Sequence, residues 1–268
     1  LSLSYLLFNR PHHFAALLLV PVVFLSGMQE GCKTRSAHLY KRFTFVWARG
    51  AALPFEPRLR HRAKMAIYHL RATMISRSAG RSATAAAAYR SASHIEDHRT
   101  GLSFDYRARG GVDHVEILAP AQAPEWAQDR AALWNAVEAA ETRKNSQVAR
   151  EIRVALPAEL DHGQRVELVR DFCQRQFVDR GMVADIALHA PGREGDDRNH
   201  HAHILLTTRE IAAEGFTTKN RDWNAVEVLE GWREAWAQDA NLALELAGHG
   251  ERIDHRTLEA QRIEALEL

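Results

Sequence analysis

Apolar and polar residues alternate in several short stretches of this chain, and each stretch reads as a strand with one buried face. Ala66–Thr73 puts Ala66, Tyr68 and Leu70 on one side and His69 and Arg71 on the other. Val148–Leu156 turns Ile152, Val154 and Leu156 inward and Glu151 and Arg153 outward. In Val183–His189, Ile186 and Leu188 face one way, while Asp185, Ala187 and His189 face the other. His201–Thr208 projects His201 and His203 together and turns Ile204 and Leu206 to the core, because residues two apart on a strand share a face. Leu102–Leu118 holds Gly110-Gly111 between two strand-like runs and reads as a hairpin.

Helical stretches separate these strands. Ser76–Ser82 is a polar, glycine-containing connection that feeds an alanine-rich segment, Ala83–Ser93, whose composition favours helix. Pro124–Glu141 reads as a helix with proline in its first turn. Asp161 caps a helix that runs to about Arg180 and is ended by Gly181. Trp223–Ala247 is a long amphipathic helix carrying Trp232 and Trp236. The order implies an α+β fold: a single antiparallel-type sheet with helices on its apolar face and the other face open. That open face collects His69, Arg71, Glu151, Arg153, Asp185, His189, His201 and His203. So many polar side chains on one face mark a site rather than a core.

Composition narrows the picture only a little. The 268 residues can bury a full core in one or two domains. A net charge of +1 names no partner. Its distribution says more, since Arg58–Arg109 is rich in arginine while acids gather toward the C-terminus. Such asymmetry suits a phosphate-bearing ligand as well as a solvated basic face. Cys32 and Cys173 form no Cys-x-x-Cys pair, which excludes a thiolate zinc knuckle and a disulfide framework and fits a reducing, cytoplasmic setting. Phe14–Leu25 is apolar but shorter than the roughly 20 residues of a spanning helix, and Pro21 interrupts it. With Arg10 before it, the run mimics a signal peptide; no stable membrane insertion is expected. Residues 1–64 read as an extension to a domain that begins at Met65.

The candidate chemistry lies on the open face. If the strands pair, His189, His201 and His203 converge there, and three neutral imidazoles with an open position are the usual makings of a catalytic metal site. The chain has 15 histidines, so a pair two apart is unremarkable; the third, in phase on another strand, carries the weight. Imidazole ligands alone leave zinc, manganese, copper, nickel and iron open. No Gly-x-Ser-x-Gly elbow, Walker phosphate loop or Gly-x-Gly-x-x-Gly after a strand is present, which counts against those hydrolase, P-loop and Rossmann classes. The nucleophile is then a metal-bound water or a side chain on the alanine-rich helix, where Tyr89 stands between Ala88 and Arg90.

These motifs, taken in order, resemble the MobA/MobL relaxases of the three-histidine (HUH) superfamily. Met65-Ala-Ile-Tyr-His-Leu70, Arg77-Ser-Ala-Gly-Arg-Ser82 and Tyr89 look like the start of that domain. Glu151-Ile-Arg-Val-Ala-Leu-Pro157 resembles its central strand, and Asn199-His-His-Ala-His203 with His189 its histidine motif. The Trp223 helix and Arg252-Ile-Asp-His-Arg256 are similar to its end in the TraA type, so the resemblance spans residues 65–262 and leaves 263–268 as the start of a continuation. It implies a plasmid-mobilisation enzyme that nicks one DNA strand at a transfer origin through Tyr89, with magnesium or manganese on His189, His201 and His203. Glu151 would orient a ligand or accept the tyrosine proton, unless it merely pairs with Arg150 or Arg153. Arg71, Arg77 and Arg81 would contact phosphates of single-stranded DNA. Accessory relaxosome proteins and a type IV secretion coupling protein are the implied partners. Two other readings compete: a non-catalytic DNA-binding repressor, and a metal-dependent phosphodiesterase that uses bound water.

Overall fold

The computed structural model describes residues 66–192 and 196–267; the expected N-terminal extension and its apolar run lie outside them. Five strands form the main sheet: β1 (Leu70–Ser76), β4 (Val112–Leu118), β5 (Gln147–Ala155), β6 (Ala184–His189) and β7 (His201–Leu206). Their order is β1-β5-β7-β6-β4, and every neighbouring pair is antiparallel. The expected strand phases hold. Leu70, Ile152, Val154, Ile186, Leu188, Ile204 and Leu206 are all buried on one face.

That face packs on α3 (His162–Gln176) and α4 (Val226–Leu246). Asp161 and Gln164 form a reciprocal capping box at the start of α3, which satisfies N–H groups that the helix leaves without partners. Phe172 meets Trp236 edge to face at 5.1 Å, and Phe177 meets Trp232 at 5.2 Å. Such T-shaped pairs add about 0.5–1.5 kcal/mol each to the burial of the rings. The turn after α3 closes at Gly181, whose φ of 90° lies in the left-handed region where a side chain is strained.

Four expectations need correction. The first strand begins at Leu70 rather than Ala66, whose N–H instead donates to the Arg252 carbonyl. Leu102–Leu118 is not a hairpin. Its first half, β3 (Leu102–Asp105), pairs back on β2 (His94–Asp97) around Gly101, while its second half, β4, joins the main sheet beside β6. The glycine pair carries the chain from one sheet to the other instead of reversing it. The next helix, α2, runs Arg130–Ala140, because Asp129 caps it by accepting from the Ala132 N–H; residues 125–128 form a tight 3-10 turn. Last, the second sheet face is not bare. Alanines of α1 (Ala83–Ser91) and Leu133, Trp134 and Val137 of α2 bury Ile75, Ala149, Val183 and Leu205 there. Small Cβ groups let α1 settle close to the sheet.

Asp185 lies under that cover. Its carboxylate is buried, accepts both Nε and an Nη of Arg130, and accepts the Trp134 indole N–H at 2.8 Å. It anchors α2 rather than joining an open polar face. A ribbon of β8 (Arg209–Ala212) and β9 (Gly215–Lys219) follows β7, and α5 (Leu258–Glu267) runs across the expected 262/263 boundary. Among the described residues, no helix is long and apolar enough to cross a membrane.

Candidate metal centre

The uncovered end of this face holds the histidines. β6 and β7 pair so that His189 lies directly opposite His201, with His203 two residues further along. Ring centroids are 4.8–5.2 Å apart, and one ring nitrogen from each imidazole lies within 4.8 Å of the others.

Each imidazole is also held by a hydrogen bond through one ring nitrogen. His189 Nε2 lies 2.8 Å from the Arg90 carbonyl, His201 Nδ1 2.9 Å from the Asn199 carbonyl, and His203 Nδ1 2.6 Å from Glu151 Oε1. All three acceptors lack a proton to give, so those nitrogens carry the hydrogens. In the neutral form of each ring the lone pair is then left on His189 Nδ1, His201 Nε2 or His203 Nε2. Backing of this kind is how metal-binding histidines have their tautomer and ring orientation fixed. Burial pushes the His189 pKa down to about 4, and the bond to the Arg90 carbonyl only partly opposes it. Burial also lowers His201. Both rings are therefore neutral near pH 7, the form that binds a metal. The three-histidine set suits a divalent metal ion.

Glu151 reaches His203 diagonally across β5 and β7, since its direct cross-strand neighbour is Leu205. Its other partners are Arg90 of α1, which donates Nε to Oε1 and Nη2 to Oε2, each at 2.6 Å, and the Thr73 hydroxyl of β1, which donates to Oε2 at 3.4 Å. Burial pushes the Glu151 carboxyl up, but the bonds from His203 and Arg90 and the Arg90 charge outweigh it and hold the pKa well below the usual carboxylate range. Neither Arg150 nor Arg153 is its partner: Arg150 is buried on the opposite face, where it donates to Asn224.

Tyr89 precedes Arg90 on α1 and is 46% exposed. The Arg109 guanidinium stacks 3.9 Å over its ring and donates to its carbonyl, and Tyr106 meets the ring edge-on at 5.2 Å. Arg71 is exposed on the edge strand β1, opposite Arg153, whose Nη2 lies 3.3 Å from His69 Nε2. Arg81 is exposed at the N-terminal end of α1. Arg77 departs from the expected role in DNA contact. Its five N–H groups make five bonds, to the Glu138 carboxylate and carbonyl and to the carbonyls of Glu141 and Arg143. Such a group ties the turn after β1 to the end of α2 and has no donor left for a phosphate. His200 points to Arg165, 3.3 Å away, and stands apart from the other three histidines.

Sequence reasoning missed Arg90 and Arg109 and did not single out Arg153. Arg90 follows Tyr89 directly, yet its pairing with a carboxylate 61 residues later carries no local signal. Arg109 sits in the loop between β3 and β4, which brings it to Tyr89 from 20 residues away.

Fold and site define a class: an α+β domain whose antiparallel sheet presents a three-histidine metal centre beside a tyrosine-bearing helix. The model of the MobA/MobL family matches residues 81–267, and the chain belongs to that family. It is 41% identical over 237 residues to mobilization protein MobL of Acidithiobacillus ferridurans, covering 75% of this chain and 60% of MobL. It is 37% identical over 232 residues to a probable conjugal transfer protein TraA of Sinorhizobium fredii, covering 75% of this chain and 20% of TraA. A solved structure described as the molecular basis of vancomycin resistance transfer in Staphylococcus aureus superposes with a TM-score of 0.66 at 37% identity. That match covers 72% of this chain and all of the other. The chain thus spans three-fifths or less of the length of these two mobilization and transfer relatives.

Proposed function

We propose that this domain is a conjugative DNA relaxase, which nicks one strand at a plasmid transfer origin and later rejoins it. Tyr89 Oη attacks the scissile phosphorus, a new phosphorus–oxygen bond forms, and the bond to the 3′ oxygen breaks. The phenol gives up its proton and the departing 3′ oxygen takes one up, so the nick consumes no water. The resulting 5′-phosphotyrosine keeps the ester energy needed for religation.

One observation supports this reading most: three hydrogen-bonded imidazoles, with one ring nitrogen of each within 4.8 Å of the others, stand beside the Tyr89 helix, one of them held by the Arg90 carbonyl. His189, His201 and His203 would hold the ion, and we favour magnesium or manganese, although imidazoles suit zinc as well. A divalent ion there would neutralise and polarise a phosphate oxygen. Glu151 acts as a positioning residue. Both its oxygens are engaged by Arg90 and its Oε1 by His203, which fixes the imidazole and leaves it a poor acceptor for the phenolic proton. Arg109 steadies the Tyr89 ring and puts positive charge where negative charge develops. Arg71 and Arg153 form a basic strip along β1 and β5 that suits backbone phosphates. Relaxosome accessory proteins and a type IV coupling protein would complete the machinery, in the cytoplasm.

The test incubates the full chain with a single-stranded transfer-origin oligonucleotide and Mg2+ or Mn2+, and runs a denaturing gel. A covalent protein–DNA adduct is expected. Tyr89→Phe should abolish it while oligonucleotide binding stays within a few-fold, because charged contacts supply the affinity. Cleavage without adduct would assign the attack to bound water; retention without cleavage would make the domain a binding module.

A further inference from the structure

Arg90 reaches the histidine centre by two separate routes. Its carbonyl lies 2.8 Å from His189 Nε2, and its guanidinium binds the Glu151 carboxylate, which in turn holds His203. The backbone route depends on how α1 ends. A helix leaves its last four carbonyls without helical partners, and Arg90 is the second-last residue of α1. The chain turns off at Ala92, whose φ of 49° lies in the left-handed region that a side chain disfavours. The Ala92 and Ser93 N–H groups both donate back to the Ala88 carbonyl, which secures this turn. The Arg90 carbonyl is thereby left for His189 of the neighbouring sheet.

The side-chain route is equally specific. The Arg90 and Glu151 side chains are only 15% and 12% exposed. Arg90 Nη1 donates to the Ala86 carbonyl one turn earlier at 2.8 Å, while Nε and Nη2 hold the two carboxylate oxygens. One edge of the guanidinium is therefore tied to α1 and the other to β5, a use of the planar fork that an ammonium cannot copy. Two of the three imidazoles thus depend on the residue next to Tyr89, whereas His201 is held by the nearby Asn199 carbonyl.

We propose that Arg90 is the joint between the histidine centre and the nucleophile helix, so that ordering the imidazoles and fixing the end of α1 that carries Tyr89 are one event. This role rests on the relaxase reading and on the three histidines as ligands, and it adds to them a positioning residue that acts through Glu151 and through its own carbonyl. Coupling of this kind is reciprocal: what loosens the end of α1 weakens the centre, and filling the centre steadies the end of α1.

Calorimetric titration of the full chain with Mn2+ and hydrogen–deuterium exchange of α1 test it. Arg90→Ala should bind Mn2+ about tenfold more weakly. In a Glu151→Gln background the same substitution should cost about twofold or less, because both changes act on His203 through one link; a merely structural role would multiply the two losses. Adding Mn2+ should slow exchange across residues 86–93 several-fold in the wild type and clearly less in Arg90→Ala. Arg90→Lys keeps the charge beside Glu151 without the fork, which guards against loss of fold, and should shift both readouts in the same direction by less. Arg107→Ala, which cuts only an exposed pair with Asp105, should match the wild type in both. Wild-type affinity in Arg90→Ala, losses that multiply in the double variant, or a slowing that Arg90→Ala leaves unchanged would each overturn the joint, as would wild-type exchange indifferent to Mn2+; the Tyr89 adduct test is untouched by any of these. If the wild type takes up no Mn2+ at all, the histidine-centre reading itself fails and the joint with it.

Discussion

Two carboxylates sit on the same sheet face with Leu205 between them, each gripped by an arginine from a covering helix, and they serve different ends. Asp185 on β6 takes Arg130 of α2 and then the Trp134 indole N–H. Glu151 on β5 takes Arg90 of α1 and then the Nδ1–H of His203. In both, the arginine neutralises a carboxylate that folding removes from water, which an unpaired charge would not survive. The third partner makes the difference. Trp134 is fully buried and seals a helix onto the sheet, whereas His203 has a second nitrogen that faces its two fellow histidines. The same device is a clamp under cover and a ligand support at the margin of that cover.

Breaking the sealed pair should have the largest effect on stability. Asp185→Ala leaves Arg130 and the Trp134 N–H without their acceptor and should lower the unfolding free energy by about 3–5 kcal/mol in a denaturant titration, with metal binding by the folded fraction retained. A melt unchanged from wild type would end the comparison, because Asp185 would then hold nothing.

The next effect belongs to the open pair. His203→Ala removes a ligand at little cost to the fold, and bound metal and adduct yield should fall together by about 100-fold or more. If metal content falls while adduct yield is kept, the histidines do not serve the cleavage.

Glu151→Gln tests the positioning role itself. The amide keeps the shape but loses the charge that holds His203 and Arg90, so metal affinity should drop about 10- to 100-fold. Calorimetric titration with Mn2+, well below the melting temperature, separates this from loss of fold. Unchanged affinity would reduce Glu151 to an anchor like Asp185.

The smallest effect expected is that of His200→Ala. Its imidazole is turned to Arg165, so metal affinity should change by about twofold or less, against the larger drop for His203→Ala. An equal loss in both would redraw the ligand set.

Much of this was legible along the chain. The strand phases were, since alternation is set by backbone geometry within a few residues, and with them the shared face of His189, His201 and His203. The resemblance in ordered motifs pointed to the family. Other readings failed where a local signal has a distant owner. Gly110-Gly111 marks a change of direction but not which strand pairs next. Pro124 favours a helix start, yet the Asp129 cap decides it. Arg77 looked like a phosphate ligand in a basic linker, and the carboxylate that claims it lies 61 residues on.

By itself, then, the sequence determined the alternation that puts three imidazoles on one side of a sheet, the Asp161 cap and Gly181 stop that bracket α3 and the turn after it, and the tyrosine on an alanine-rich helix. Tertiary structure alone decided which polar groups of that face would be chemistry and which would be architecture. Asp185 and Glu151 are indistinguishable as outward-facing acids in alternating strands. What separates them is that α2 closes over one and α1 stops at the edge of the other, an outcome of long-range packing that no local periodicity encodes.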